Sequence, residues 1–173
     1  MTALDVNQLI ESMAADIKQR MPNMDQSPPL MVGIHTGGAW VAEHLHQKLG
    51  LDTQLSRLNI SFYRDDFTRI GMHPQVLPSQ MLTNIEGRSI ILVDDVLYTG
   101  RTIRAALNEI FDYGRPQSIL LATLVERDGR ELPIQADVVG THVDLDADQQ
   151  IKLTGPEPLA LSIISSKQNS TIE

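Results

Sequence analysis

The chain has 173 residues, 42% hydrophobic and 21% charged, with no cysteine and a formal net charge of −8 at pH 7. That length suits one domain with its own core, and the missing thiols exclude disulfides, thiolate catalysis and Cys-ligated zinc or iron–sulfur sites together. With 4% aromatic residues and an acidic balance, the chain offers neither a base-stacking platform nor global attraction for a polyanion.

Val6, Leu9, Ile10, Met13 and Ile17 recur at helical spacing, which predicts an opening amphipathic helix that ends near Arg20. The stretch before it lacks a basic-then-apolar leader pattern. No apolar run in the chain approaches the ~18 residues a membrane helix requires. A cytoplasmic protein without membrane contact is expected. Pro22, Pro28 and Pro29 mark a loop, and residues 30–34 form a short apolar strand that meets the turn-rich His35-Thr36-Gly37-Gly38. Residues 39–49 read as a helix stopped by Gly50. Residues 58–62 alternate as a half-exposed strand. From Arg64 to about Gly87 periodicity collapses, the pattern of a lid or binding loop.

Residues 89–93 form a continuous apolar strand that ends in Asp94-Asp95, and Ile103, Leu107, Ile110 and Phe111 give a helix from Thr102 to the stop at 113–116. Residues 119–125 are a further strand, and Val138-Val139 and residues 161–164 supply late strands. Such alternation implies an α/β fold with a mostly parallel sheet flanked by helices. Ligands of such sheets bind at the carboxyl ends of strands, and both 35–38 and 94–102 lie there. Residues 1–173 are expected to form one domain, with a frayed polar tail over 165–173.

The segment IILVDDVLYTGRT (90–102) carries chemistry. A buried strand leads through two carboxylates into a Thr-Gly-Arg-Thr turn and a helix. The N-terminus of that helix offers unpaired N–H groups and positive dipole, which suit a phosphate. Gly100 permits close backbone approach, and the hydroxyls of Thr99 and Thr102 add donors. Asp94 and Asp95 stand where they would accept from sugar hydroxyls or hold hydrated Mg²⁺. Taken alone, a vicinal Asp pair is more often a strand-end turn, and either threonine an ordinary helix cap. A Walker-type phosphate loop is ruled out, since G-x-x-x-x-G-K-[ST] occurs nowhere.

Taken whole, the segment resembles the 5-phosphoribosyl-1-pyrophosphate (PRPP) signature of type I phosphoribosyltransferases. VDDVLYTGRT (93–102) is similar to the form found in the PyrR family, pyrimidine-operon regulators that are also uracil phosphoribosyltransferases. Residues 32–36, LNISFYRDD (58–66) and RELPIQAD (130–137) extend the likeness over about 31–140. The resemblance implies the type I phosphoribosyltransferase fold with a mobile lid and a small hood, and an enzyme that converts uracil and PRPP to UMP and pyrophosphate with Mg²⁺. It places the 5′-phosphate on Thr99, Gly100, Arg101 and Thr102, with Val96, Leu97 and Tyr98 in the same substrate-binding stretch. Asp94 and Asp95 would be the catalytic pair, bound to the ribose hydroxyls and to Mg²⁺ only through ribose or water. Thr36, Gly37 and Gly38 would bind pyrophosphate, and Tyr63 and Arg64 would stand at the lid's base. Arg127 would border the base pocket. Purine transferases carry an Asp where Tyr98 stands; a phenol is a poor base at neutral pH, which favours uracil. Packing beneath the loop is the other reading of Tyr98. A homo-oligomer, dimer or higher, is also implied.

Two departures from the family pattern stand out. The pyrophosphate loop reads Thr36-Gly37-Gly38 where members carry Thr-Arg-Gly, so Gly37→Arg would be expected to tighten PRPP binding. The Arg-rich N-terminal helix of the regulatory members is replaced by Gln8-Leu9-Ile10-Glu11-Ser12-Met13, and Gln135 replaces an Arg, although Arg130 remains. Phosphate neutralisation dominates RNA affinity, so the sequence speaks against RNA binding. The alternative function is a UMP- or PRPP-sensing regulator that binds pyrimidine-gene mRNA with little or no catalysis. His44-x-His46 points its rings apart on a helix, Asp144-x-Asp146-x-Asp148 reads as an acidic turn, and His35 and His73 read as structural.

Overall fold

The computed structural model describes residues 4–21, 27–60 and 79–165. Helix α1 spans Val6–Arg20; Asp5 caps it by accepting from the N–H groups of Asn7 and Gln8, an arrangement worth about 1 kcal/mol over an alanine cap. Strand β1 is Leu30–Ile34, helix α2 Gly37–Leu49, β2 Ser56–Leu58 and β3 Ser89–Leu97. Helix α3 follows at Arg101–Tyr113, then β4 at Ser118–Arg127, β5 at Val138–Val143, β6 at Gln149–Thr154 and β7 at Ala160–Ser165.

The main sheet is wholly parallel, in the order β2-β1-β3-β4-β5. In β1 and β3 every residue from Leu30 to Ile34 and from Ser89 to Asp94 is buried, because helices cover both faces. On one side α1 and α2 pack Ile10, Met13, Ile17, Val41 and Leu45 against Met31, Ile91, Val93, Ala122 and Leu124. On the other, α3 packs Ile103, Ala106 and Ile110 against Val32, Ile34, Ile90, Leu92 and Leu121. Successive strand residues thus serve opposite cores, as the two-residue side-chain period requires. Among the described residues no helix is long and apolar enough to cross a membrane.

Several elements differ from the sequence expectations, most by a few residues at their ends. Strand β2 is Ser56–Leu58, and Asn59 and Ile60 lie past its pairing with β1, which ends at Ile34↔Leu58; the rest of the expected strand, 61–62, lies outside the described residues. Helix α2 begins at Gly37, two positions before the first side chain that signals a helix. Strand β3 does not stop before the acids: Asp94 pairs with Thr123 and Leu97 with Glu126, so the carboxylates project from the strand itself. Strand β6 has no counterpart in the sequence reading. It pairs antiparallel with β7 as a two-stranded hood, held by Leu153, buried against the α1–α2 core, and by Gly155, whose missing Cβ leaves room for the Trp40 ring of α2.

The lid expected over 64–87 falls largely outside the described residues, as do Tyr63, Arg64, His73 and the tail after Ser165. The returning chain is tied beside β2, where Gln80 and Arg57 exchange backbone hydrogen bonds of 3.0 and 2.7 Å.

Candidate active site

The carboxyl ends of β1, β3 and β4 converge on one rim of the sheet. At β1 the chain turns through His35 and Thr36, joined by a cis peptide, and enters α2. A Cβ on Gly37 would lie 2.6 Å from Asp95 Cγ, and one on Gly38 2.7 Å from the Val93 carbonyl oxygen and 2.9 Å from Asp94 Cα. Only glycines let α2 begin this close to β3. A side chain at Gly37 requires the Asp95 carboxylate to move, so the expected effect of Gly37→Arg on PRPP binding depends on where that carboxylate goes. Thr36 is exposed and its hydroxyl makes no cap hydrogen bond to α2.

Asp94 is 1% exposed, and its Oδ1 accepts from the Asp95 N–H at 3.0 Å. Asp95 is half-buried and faces the start of α2. The side chain of Leu97 is buried in the α3-side core, and Val96 packs against the opposite one. Any contact Leu97 makes with a ligand is through the backbone, whereas Val96 is partly exposed.

The phosphate-loop residues follow directly. Gly100 has φ +92°, a left-handed conformation that turns the chain from β3 into α3 and that other residues adopt only at a cost. The hydroxyl of Thr99 accepts from the Arg101 N–H at 3.2 Å. The N–H groups of Thr102 and Ile103, in the first turn of α3, have no acceptor within the helix. Arg101 is exposed and pairs with Glu131 at 2.7 Å.

At the end of β4 the Arg127 guanidinium lies 4.1 Å from the centroid of the Tyr98 ring. The backbone at Gly129, φ +119°, runs so close to that ring that a Cβ would overlap it. Tyr98 is thus stacked between a cation and a backbone, with 42% of its surface exposed. The packing reading of Tyr98 describes this arrangement, and the exposed part of the ring lies at the rim. A groove of about 440 Å³ opens beside the loop, lined by Glu126, Arg130 and residues 132–135.

His35 closes the β1 side. Its N–H donates to the Leu58 carbonyl at 2.8 Å. Burial, and then the nearby Arg57 guanidinium, lower its pKa below the usual 6.5, against the opposing pull of Glu43. His44 and His46 hold separate backbone acceptors, Trp40 O at 3.0 Å and Thr53 O at 2.5 Å. They share no site.

Sequence reading did not find Glu126, Glu131 and His142. Glu126 pairs with Arg130 and, at 3.4 Å, with His142 Nδ1. Glu126 and His142 are register partners on β4 and β5, a relationship between strands that leaves no local mark in the chain.

Among the described residues no group of three or more His, Asp or Glu side chains is placed to hold a metal. Mg²⁺ in phosphate-transfer sites typically keeps several waters and takes only one or two carboxylates. The Asp94–Asp95 pair fits that pattern.

The phosphoribosyl transferase domain model matches residues 3–158 of the chain. The bifunctional protein PyrR of Nitrosococcus oceani is 61% identical over 93% of this chain and 92% of its own length. That of Pseudomonas paraeruginosa is 54% identical over 89% and 91%. Among solved structures, a hypoxanthine-guanine phosphoribosyltransferase from Bacillus anthracis superposes with a TM-score of 0.67 at 17% identity, covering 93% of this chain and 96% of that one. A purine phosphoribosyltransferase from Pyrococcus horikoshii gives 0.58 at 23% identity, over 80% of each chain. These structural likenesses bear on the fold alone.

Proposed function

The chain belongs to the PyrR family of phosphoribosyl transferase domain proteins, and we propose that it is a cytoplasmic uracil phosphoribosyltransferase that makes UMP and pyrophosphate from uracil and PRPP. The observation that carries this reading is the junction at the ends of β1 and β3. There Gly37 and Gly38 press the start of α2 against Asp94 and Asp95, a few residues ahead of a loop built to take a phosphate. The whole chain is taken as one domain, supported by a family match that reaches from residue 3 to 158.

In this reading Thr99, Gly100, Arg101 and Thr102 hold the 5′-phosphate, with the first-turn N–H groups of α3 as donors. Asp95, the more accessible carboxylate, accepts from a ribose hydroxyl, and Asp94 holds the Asp95 backbone in place. Thr36 and the first-turn N–H groups of α2 bind pyrophosphate. The C1′–O bond breaks with its electron pair on pyrophosphate, uracil N1 bonds to C1′, and the N1 proton leaves to solvent. Such a step depends on positioning and on electrostatic support of the leaving group rather than on a protein nucleophile. Mg²⁺, held by Asp94 and Asp95 through ribose or water, would supply charge neutralisation on pyrophosphate. Tyr98 and Arg127 form one wall of the base site, where a stacked ring and a guanidinium suit a planar pyrimidine carrying carbonyl groups.

A homo-oligomer is part of the proposal, supported by exposed Phe111 and Tyr113 on α3, which are 55% and 48% accessible. The mRNA-binding sensor with little catalysis has less support. The cation it would retain, Arg130, is engaged by Glu126 and by the Tyr98 carbonyl.

The test is a radiolabelled assay of uracil, hypoxanthine, guanine and orotate with PRPP and Mg²⁺. UMP as the one product is expected. Product from a purine or from orotate, or none from any base, overturns the assignment.

A further inference from the structure

The phosphate loop is held from behind by a segment outside it. The Arg130 guanidinium donates through one nitrogen to the Tyr98 carbonyl and through the other to Glu126 Oε1. The N–H groups of Glu131 and Leu132 both donate to the Thr99 carbonyl, at 3.0 and 3.2 Å. Glu131 pairs with Arg101. Arg130 Cδ, Leu132 Cβ and Ile134 Cβ lie 3.4–3.5 Å from where a Cβ on Gly100 would be. Tyr98, Thr99 and Arg101 are thus each bonded by the segment 130–132, Gly100 is closely overlaid by it, and two successive loop carbonyls are consumed.

A phosphate seat made of backbone N–H groups works only when those groups are fixed in a convergent geometry before the anion arrives. A left-handed glycine does not provide that rigidity by itself, since its freedom is what permits the turn. We infer that Arg130, oriented by Glu126, is a positioning residue for 5′-phosphate binding: it ties the Tyr98 carbonyl and so sets the conformation of the Tyr98–Arg101 loop. This rests on the proposed phosphoribosyl site. Arg130 acts here through its fork rather than its charge, because a guanidinium can serve a carbonyl and a carboxylate at two fixed points, whereas an ammonium is a single point charge.

The experiment compares UMP with uridine, which differ only in the 5′-phosphate, by calorimetry on the wild type, Arg130→Lys, Arg130→Ala and Glu126→Gln, with melting curves alongside. The wild type is expected to prefer UMP by at least about 100-fold, as charge-assisted phosphate contacts allow. Arg130→Lys should lose roughly tenfold or more of that preference, nearly as much as Arg130→Ala, with uridine affinity changing far less than UMP affinity; Glu126→Gln should fall between. Should Arg130→Ala fail to fold, the charge-conserving Lys and Gln variants carry the test. A wild type that does not distinguish UMP from uridine sinks the phosphoribosyl reading itself. A wild type that does, with Arg130→Lys equal to it, overturns the positioning role.

Discussion

The carboxylate of Asp95 fills the space that a side chain on Gly37 would need, its Cγ 2.6 Å from the position of the missing Cβ. The residue expected to bind pyrophosphate and one expected to bind ribose are thereby neighbours, so a side chain added at Gly37 must displace the Asp95 carboxylate.

Gly37→Ala should therefore act through Asp95. Turnover assays are expected to show a PRPP KM raised by roughly tenfold, the scale of coupling between contacting residues. In an Asp95→Ala background, which removes the obstructing atoms, the same substitution should cost much less. Equal costs in both backgrounds would separate the two residues.

Asp95→Asn should lower PRPP-dependent turnover by roughly 10- to 100-fold, the value of a hydrogen bond to a charged group. Its melting temperature should change by no more than about 3 °C, since Asp95 sits half-buried at the sheet's rim. Asp94→Asn lies deeper, at 1% exposure, and should lose stability as well as activity. Calorimetric melting beside steady-state kinetics distinguishes them.

Removing the cation from the face of Tyr98 tests the base wall. Arg127→Met keeps an apolar stem but loses the 4.1 Å guanidinium–ring contact. Uracil KM should rise by about two- to fivefold, the range for a partly exposed cation–π pair, while PRPP KM stays constant. A change confined to PRPP would place Arg127 on the other substrate.

The lowered pKa of His35 makes stability depend on pH in a definite direction. The unfolded chain takes up the proton near 6.5, before the folded protein does, so the unfolded state binds more protons as pH falls. Stability from this residue is complete above that value and declines below it, towards the folded-state pKa. Thermal unfolding between about pH 7.5 and about pH 5 should show a shallower decline for His35→Asn than for the wild type.

Much of this molecule is legible along the chain. The apolar periodicity of α1 and α3, the unbroken runs of β1 and β3, and the passage from paired acids into Thr99-Gly100-Arg101-Thr102 are local patterns, because backbone conformation and helix-end chemistry are set by near neighbours. The same locality explains what escaped. Strand β3 runs on through Asp94 and Asp95 because β4 lies beside it with a pairing partner at Thr123 and Val125, and polar residues carry no signal of such a partner. Strand β6 is short and half-exposed, and exists by pairing with β7. The overlap of Asp95 with Gly37, the stacking of Tyr98 between Arg127 and Gly129, and the hold of Arg130 on the phosphate loop each join residues far apart in the chain. Sheet order decides those encounters, and sheet order is the product of burying two apolar faces at once, a property of the whole chain rather than of any segment in it.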